Sequence, residues 1–127
     1  MAVTLNTNDI TMGSGAVIQN PSGSAPSYVC RAWVNFNGTG TVAIRASGNV
    51  SSIADNGTGL YTVNFSTAMP DVNYCITTCA VSAGTADMTG FGMTTGTTPS
   101  VGSVQLYCKS WGISSTDSFY CCPAFFR

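Results

Sequence analysis

Residues 35–47 read NFNGTGTVAIRAS. Before the Asn37-Gly38 pair, Tyr28, Cys30, Ala32, Val34 and Phe36 share one face of an alternating run, and Arg31, Trp33 and Asn35 share the other. After it, Val42, Ile44 and Ala46 alternate with Ala43, Arg45 and Ser47. A period of two is the strand period, because successive side chains leave a pleated backbone on opposite sides. Asn-Gly supplies the positive φ of a type I′ or related hairpin turn. The stretch therefore predicts an antiparallel hairpin.

The pattern extends in both directions. Gly48-Asn49 marks a second turn and Val50–Ala54 a short strand. Residues 55–59, Asp-Asn-Gly-Thr-Gly, form a loop dense in turn formers, and Tyr61, Val63 and Phe65 then alternate with Thr62 and Asn64. Pro70 bends the chain before Val72–Val81, the longest strand predicted. Phe91–Thr95, Ser103–Lys109 and Ser118–Phe126 complete the set, Pro123 arguing for an edge or a bulge in the last. No window carries a helical stripe, and no repeat of fixed period is found. Seven or eight short strands joined by turns predict an all-β domain over residues 28–127, an antiparallel β-sandwich forming a jelly-roll-like knob. Residues 1–27, broken by Gly13, Gly15, Pro21, Gly23 and Pro26, read as a separate N-terminal arm or attachment segment.

Composition narrows the function classes. Charged residues are 7 % of the 127, against roughly 25 % in an average domain, and the net charge is −1. No basic stripe exists to hold nucleic acid. Gly, Ser and Thr make up more than a third of the chain, so its surface is built of hydroxyls, amides and backbone. Such a surface repels copies of itself weakly and suits packing against other subunits. Disorder is not expected, because 44 % of the residues are hydrophobic. Residues 88–108 are uncharged but interrupted by Gly, Thr, Ser and Pro, so no membrane insertion is expected. The first ten residues lack the basic and apolar regions of a secretory signal.

Six cysteines stand at 30, 75, 79, 108, 121 and 122. With no export signal, reduced thiols acting as small hydrophobes are favoured over a disulfide framework. Cys75 and Cys79 lie about 13 Å apart along a strand, too far to bridge, and Cys121 and Cys122 face opposite sides. The same splaying argues against zinc. No metal or cofactor is expected.

Catalysis needs groups that move protons. The chain has no His and no Glu, and its only carboxylate side chains are Asp9, Asp55, Asp71, Asp87 and Asp117. Those sit in turn and loop contexts, so no enzyme is expected. Trp111, between Ser110 and Gly112 in the loop running to Asp117, is the candidate receptor contact, since an exposed indole stacks on sugar rings; the alternative is that it folds back to cap one end of the core. Ser110 and Asp117 join it. Trp33 and Tyr107 are candidate subunit contacts on strand faces, with Arg31 and Arg45, for which Asp71 is an expected partner.

The runs Cys30-Arg-Ala-Trp-Val-Asn-Phe-Asn-Gly-Thr-Gly40, Val42-Ala-Ile-Arg-Ala-Ser47 and Asp55-Asn-Gly-Thr-Gly59 carry a resemblance. So do Tyr61-Thr-Val-Asn-Phe65, Ala68-Met-Pro-Asp71 and Asn73-Tyr74. The chain resembles a module of bacteriophage virion structural proteins, of the tail fibre type found in marine and cyanobacterial phages. The likeness is dense over residues 28–75 and looser up to Phe125-Phe126-Arg127. It implies a homotrimeric β-rich knob on the virion surface, bound to other virion proteins and touching a host surface glycan or protein. The loops at Gly84–Gly90, Gly96–Gly102 and Ser110–Asp117 would make that contact. The resemblance brings no catalytic residues. Two features depart from the pattern: the cysteine content is high, and the module usually terminates a longer fibre. The second raises the alternative of a capsid decoration or cement protein, a head fibre stabilising the capsid.

Overall fold

A strand with one apolar face is stable only when that face meets another. The computed structural model describes residues 18–19, 26–82, 89–93, 96–110 and 114–127. Every element among them is a strand. In order these are β1 (Ile18–Gln19), β2 (Pro26–Ser27), β3 (Cys30–Asn37), β4 (Ala43–Gly48), β5 (Val50–Asp55) and β6 (Leu60–Phe65). They continue with β7 (Cys75–Thr77), β8 (Ala80–Val81), β9 (Thr89–Gly92), β10 (Ser103–Ser110), β11 (Tyr120–Cys121) and β12 (Ala124–Phe126). All pairings are antiparallel. Among the described residues β1 and β2 pair only with each other.

The others form two sheets. One runs β5-β6-β10-β9. In the second, β4 lies on one side of β3, while β11 and β12 lie end to end on its other side, backed by β8 and β7. The predicted strands over 72–81 and 118–126 are thus each interrupted, yet the register runs unbroken across both gaps. Pro123 explains the break between β11 and β12. Its carbonyl accepts from Val34 N–H at 3.1 Å, but it has no N–H to return. The proline sits buried inside the sheet, not at an edge.

The inner faces make one core. Ala32, Val34, Phe36, Cys121 and Phe125 from the second sheet meet Tyr61, Val63, Phe65, Val104, Leu106 and Cys108 from the first. Aromatic rings interlock edge to face at its centre, Phe36–Tyr61 at 5.2 Å and Phe65–Phe125 at 5.0 Å between centroids. The inward face predicted to begin at Tyr28 begins at Ala32, since Tyr28 and Cys30 are exposed.

The hairpin that announced the fold is real, but its turn is not the tight one expected. Five residues separate β3 from β4, and the positive φ of 61° falls on Gly40 instead of Gly38. The Asn37 amide closes the loop by donating to Thr39 O at 2.6 Å and Thr41 O at 3.2 Å. Gly38 has another duty: a Cβ there would stand 2.5 Å from the Tyr61 hydroxyl and 2.9 Å from Ser118 O. Asn49, with φ 56°, is where the chain switches sheets. Its amide donates to Arg31 O and Thr67 O and accepts from Thr67 N–H, which pins the crossover.

Candidate functional site

The face of the second sheet that points away from the core carries the most unusual chemistry. The continuous register lays its residues out as a grid. Trp33 stands level with Gly48, Ala124 and Thr77. One step along, Asn35 stands level with Ala46, Cys122 and Cys79. The next step holds Tyr120 beside Val81. Trp33 is 44 % exposed, Val81 51 %, Phe119 43 % and Tyr120 41 %. This is much apolar surface for one face of a small domain.

Arg45 organises it. The residue falls where the β3–β4 register shifts, which turns its side chain across the face. Its guanidinium lies 4.7 Å from the Phe119 ring centroid and 4.3 Å from that of Tyr120, and donates to Asn35 Oδ1 at 3.3 Å. A planar cation on two rings is a cation–π arrangement, each contact worth about 0.5–1 kcal/mol where solvent reaches it. Gly48 leaves room for the Trp33 indole, whose Nε1 would lie 2.5 Å from a Cβ at that position.

Of the four predicted subunit contacts, Trp33 and Arg45 therefore share this face. Arg31 lies toward the other end of β3, where its Nε donates to the Arg127 backbone oxygen at 2.6 Å. The expected pairing of Arg31 or Arg45 with Asp71 is not what forms. Arg127 takes Asp71 in a two-pronged pair at 2.8 and 2.5 Å. That guanidinium, with the Asn73 N–H, holds the Asp71 carboxyl down at about 2. Tyr107 lies on the outer face of the first sheet, its hydroxyl bonded to that of Ser115 and Lys109 Nζ 4.9 Å from its ring centroid.

Among the predicted receptor contacts, Trp111 lies outside the described residues. Ser110 is half-buried and donates its N–H to Ser114 O at 3.0 Å. Asp117 turns inward: its Oδ1 accepts from Gly59 N–H at 2.7 Å and lies 2.9 Å from the Tyr61 hydroxyl. The same hydroxyl lies 2.9 Å from Gly38 O, so one proton serves two acceptors. This buried network fastens three loops together. The sequence gives no sign of it, because its members lie up to 58 residues apart.

Tyr61 is fully buried, and burial followed by the Asp117 hydrogen bond pushes its phenol far above the ordinary range. The folded state thus holds a proton that the unfolded chain releases above pH ~10. This contribution to stability is intact below pH ~10 and declines as pH rises further. Urea midpoints measured at pH 8 and pH 11 are expected to fall between the two, and Tyr61→Phe should fall less while starting about 1–3 kcal/mol lower. An identical pH slope in Tyr61→Phe would remove Tyr61 as the cause.

The loops expected at the host contact divide between two ends. The loop at 96–102 precedes β10 and the one reaching Asp117 follows it, about 24 Å away along the strand. Most of the loop at 84–90 lies outside the described residues. Thr89 pairs with Ser110, so the first residue of β9 stands at the Ser110–Asp117 end. Among the described residues no group of three or more Cys or Asp side chains is placed to hold a metal ion. No family model matches the chain, and neither does any curated protein or solved structure.

Proposed function

We propose that the chain is a structural protein of a bacteriophage virion: a β-sandwich, jelly-roll-like knob on a tail fibre or tail tip, working as a homotrimer in host attachment. The observation that carries this reading is the outer grid of Trp33, Phe119, Tyr120 and Val81 around Arg45. A small monomer exposes such a patch at a cost in solubility, and association of copies removes it. The sequence likeness over residues 28–75 to fibre modules supports the same reading. Residues 1–27 are assigned to attachment to other virion proteins. The Ser110–Asp117 end, with Trp111, is assigned to a host surface glycan or protein. No enzymatic activity is part of the proposal.

Sedimentation equilibrium should give three times the 13.1 kDa chain mass, and Trp33→Asp should raise the dissociation constant at least about tenfold. A monomer at all concentrations would remove the trimer. Gold-labelled antibody to residues 28–127 is expected at the tail end of intact virions. Gold spread over the head would replace this reading with the capsid decoration protein, which the weakly charged surface also suits.

A further inference from the structure

Cys79 and Cys122 meet at the centre of the outer grid. Cys79 N–H donates to Cys122 O at 3.3 Å and Cys122 N–H to Cys79 O at 2.8 Å. The two residues are therefore a directly opposed, hydrogen-bonded antiparallel pair. Their side chains leave the same face, and the Cα separation of such pairs is about 5.5 Å, inside the span of about 4.4–6.8 Å that a disulfide needs. Cys79 is exposed and Cys122 partly so. Both are free thiols in this structure. Burial, and then the neighbouring Cys79, raise the Cys122 thiol, and the Arg45 guanidinium offsets part of that rise.

The other cysteines lack one or more of these conditions. Cys108 and Cys121 approach each other in the core, both within hydrogen-bonding reach of Ser118, but neither has any exposure to an oxidant. Cys30 and Cys75 are exposed, yet both pair with Phe126 from opposite sides, so a whole strand separates them by about 9.5 Å. That exceeds the reach of a disulfide.

We infer that Cys79 and Cys122 form a dithiol that closes to a cross-strand disulfide when it meets a low-molecular-weight disulfide. The Cys79 thiolate attacks one sulfur of the oxidant, forming a mixed disulfide and releasing one small thiolate. The Cys122 thiolate then attacks the Cys79 sulfur and releases the second. Two electrons pass from the protein to the oxidant, which leaves as two small thiols carrying the two protons. The product ties the two-residue edge strand β8 to β11 beside the aromatic grid. An exposed bridge of this kind is reducible, so the clasp is reversible.

The test uses the full reduced chain, with oxidised glutathione as the oxidant. After oxidation, remaining thiols are alkylated and the protein is cut with trypsin, which separates residues 46–109 from 110–127. The expected result is a covalent link between these two peptides, about 2 Da below the sum of the free thiol forms, which fragment spectra place at Cys79 and Cys122. Two thiols should be lost to alkylation, and dithiothreitol should restore both. The link should persist in Cys75→Ser and vanish in Cys79→Ser, an exposed site whose exchange leaves the melting profile intact. All six thiols alkylated after oxidation, or a link that survives in Cys79→Ser, would overturn the inference; the wild-type fragment spectra decide it even without the variants.

Discussion

Replacing Gly59 by alanine is expected to destabilise the domain by about 2–5 kcal/mol. Two causes add. Gly59 has φ 69°, a left-handed conformation that costs a residue with a Cβ about 1–2 kcal/mol. The new methyl carbon would also stand 2.5 Å from Cys108 O and 2.8 Å from Thr116 O, backbone atoms of two residues tied to each other by the Thr116 N–H to Cys108 O bond at 3.2 Å. Overpacking of this kind costs about 1–3 kcal/mol. The site cannot relax cheaply, because Gly59 itself accepts from Cys108 N–H at 2.7 Å and donates to Asp117 at 2.7 Å. Any shift that relieves the clash stretches one of these bonds. Chemical denaturation should show a lower midpoint with an unchanged slope. Gly57→Ala is the control. That glycine also has positive φ, at 122°, but a methyl group there would meet nothing within 4 Å, so only the backbone strain remains. Equal losses at the two glycines would show that the close approach at Gly59 does not matter.

Phe125→Ala is expected to cost about 3–5 kcal/mol, the range for deleting a fully buried aromatic ring. Phe125 has no exposure and stacks edge to face on Phe65 at 5.0 Å and Tyr74 at 6.1 Å. It lies on β12, a three-residue strand whose neighbours β3 and β7 hold it by few backbone bonds. Its side chain therefore supplies most of what keeps that row against the core. Against a total stability of roughly 5–15 kcal/mol, the loss leaves a large unfolded fraction under mild denaturant. Phe125→Leu keeps much of the volume and should lose less than half as much. If alanine and leucine behave alike, the packing argument at this position fails.

Much of the architecture was legible locally. Alternation located β3, β4, β5, β6 and β10 to within a residue or two; β3, β6 and β10 alternate between core and solvent, while β4 lies exposed along the edge of its sheet. The long strands read at 72–81 and 118–126 were legible as rows but not as pairs of short strands. The gap in the second row follows from Pro123 meeting Val34, a contact that alternation does not encode. The Asn37-Gly38 pair was legible as a turn, but not as a loop whose glycine makes way for Tyr61.

The candidate site was less legible for the same reason. Trp33 and Arg45 stood out by rarity, yet nothing near them in the chain announced Phe119 and Tyr120 as the rings under the guanidinium. Asp117 looked like a solvent-facing loop residue until Gly59 and Tyr61 were seen to claim one of its oxygens. Cys79 and Cys122 lie 43 positions apart, and only the shared register of β8 and β11 sets them opposite each other.

By itself, then, the order of residues determined an all-β chain, its strand periods, its scarcity of charge and the residue types available for chemistry. These are properties of short windows, set by backbone sterics and by which side of a pleat each side chain leaves. The tertiary structure alone decided which strands became neighbours, which loop residues turned inward, and which thiols and rings came together on one face. Those outcomes depend on register between distant segments, where a slip of one residue would exchange the buried and exposed faces of a whole strand.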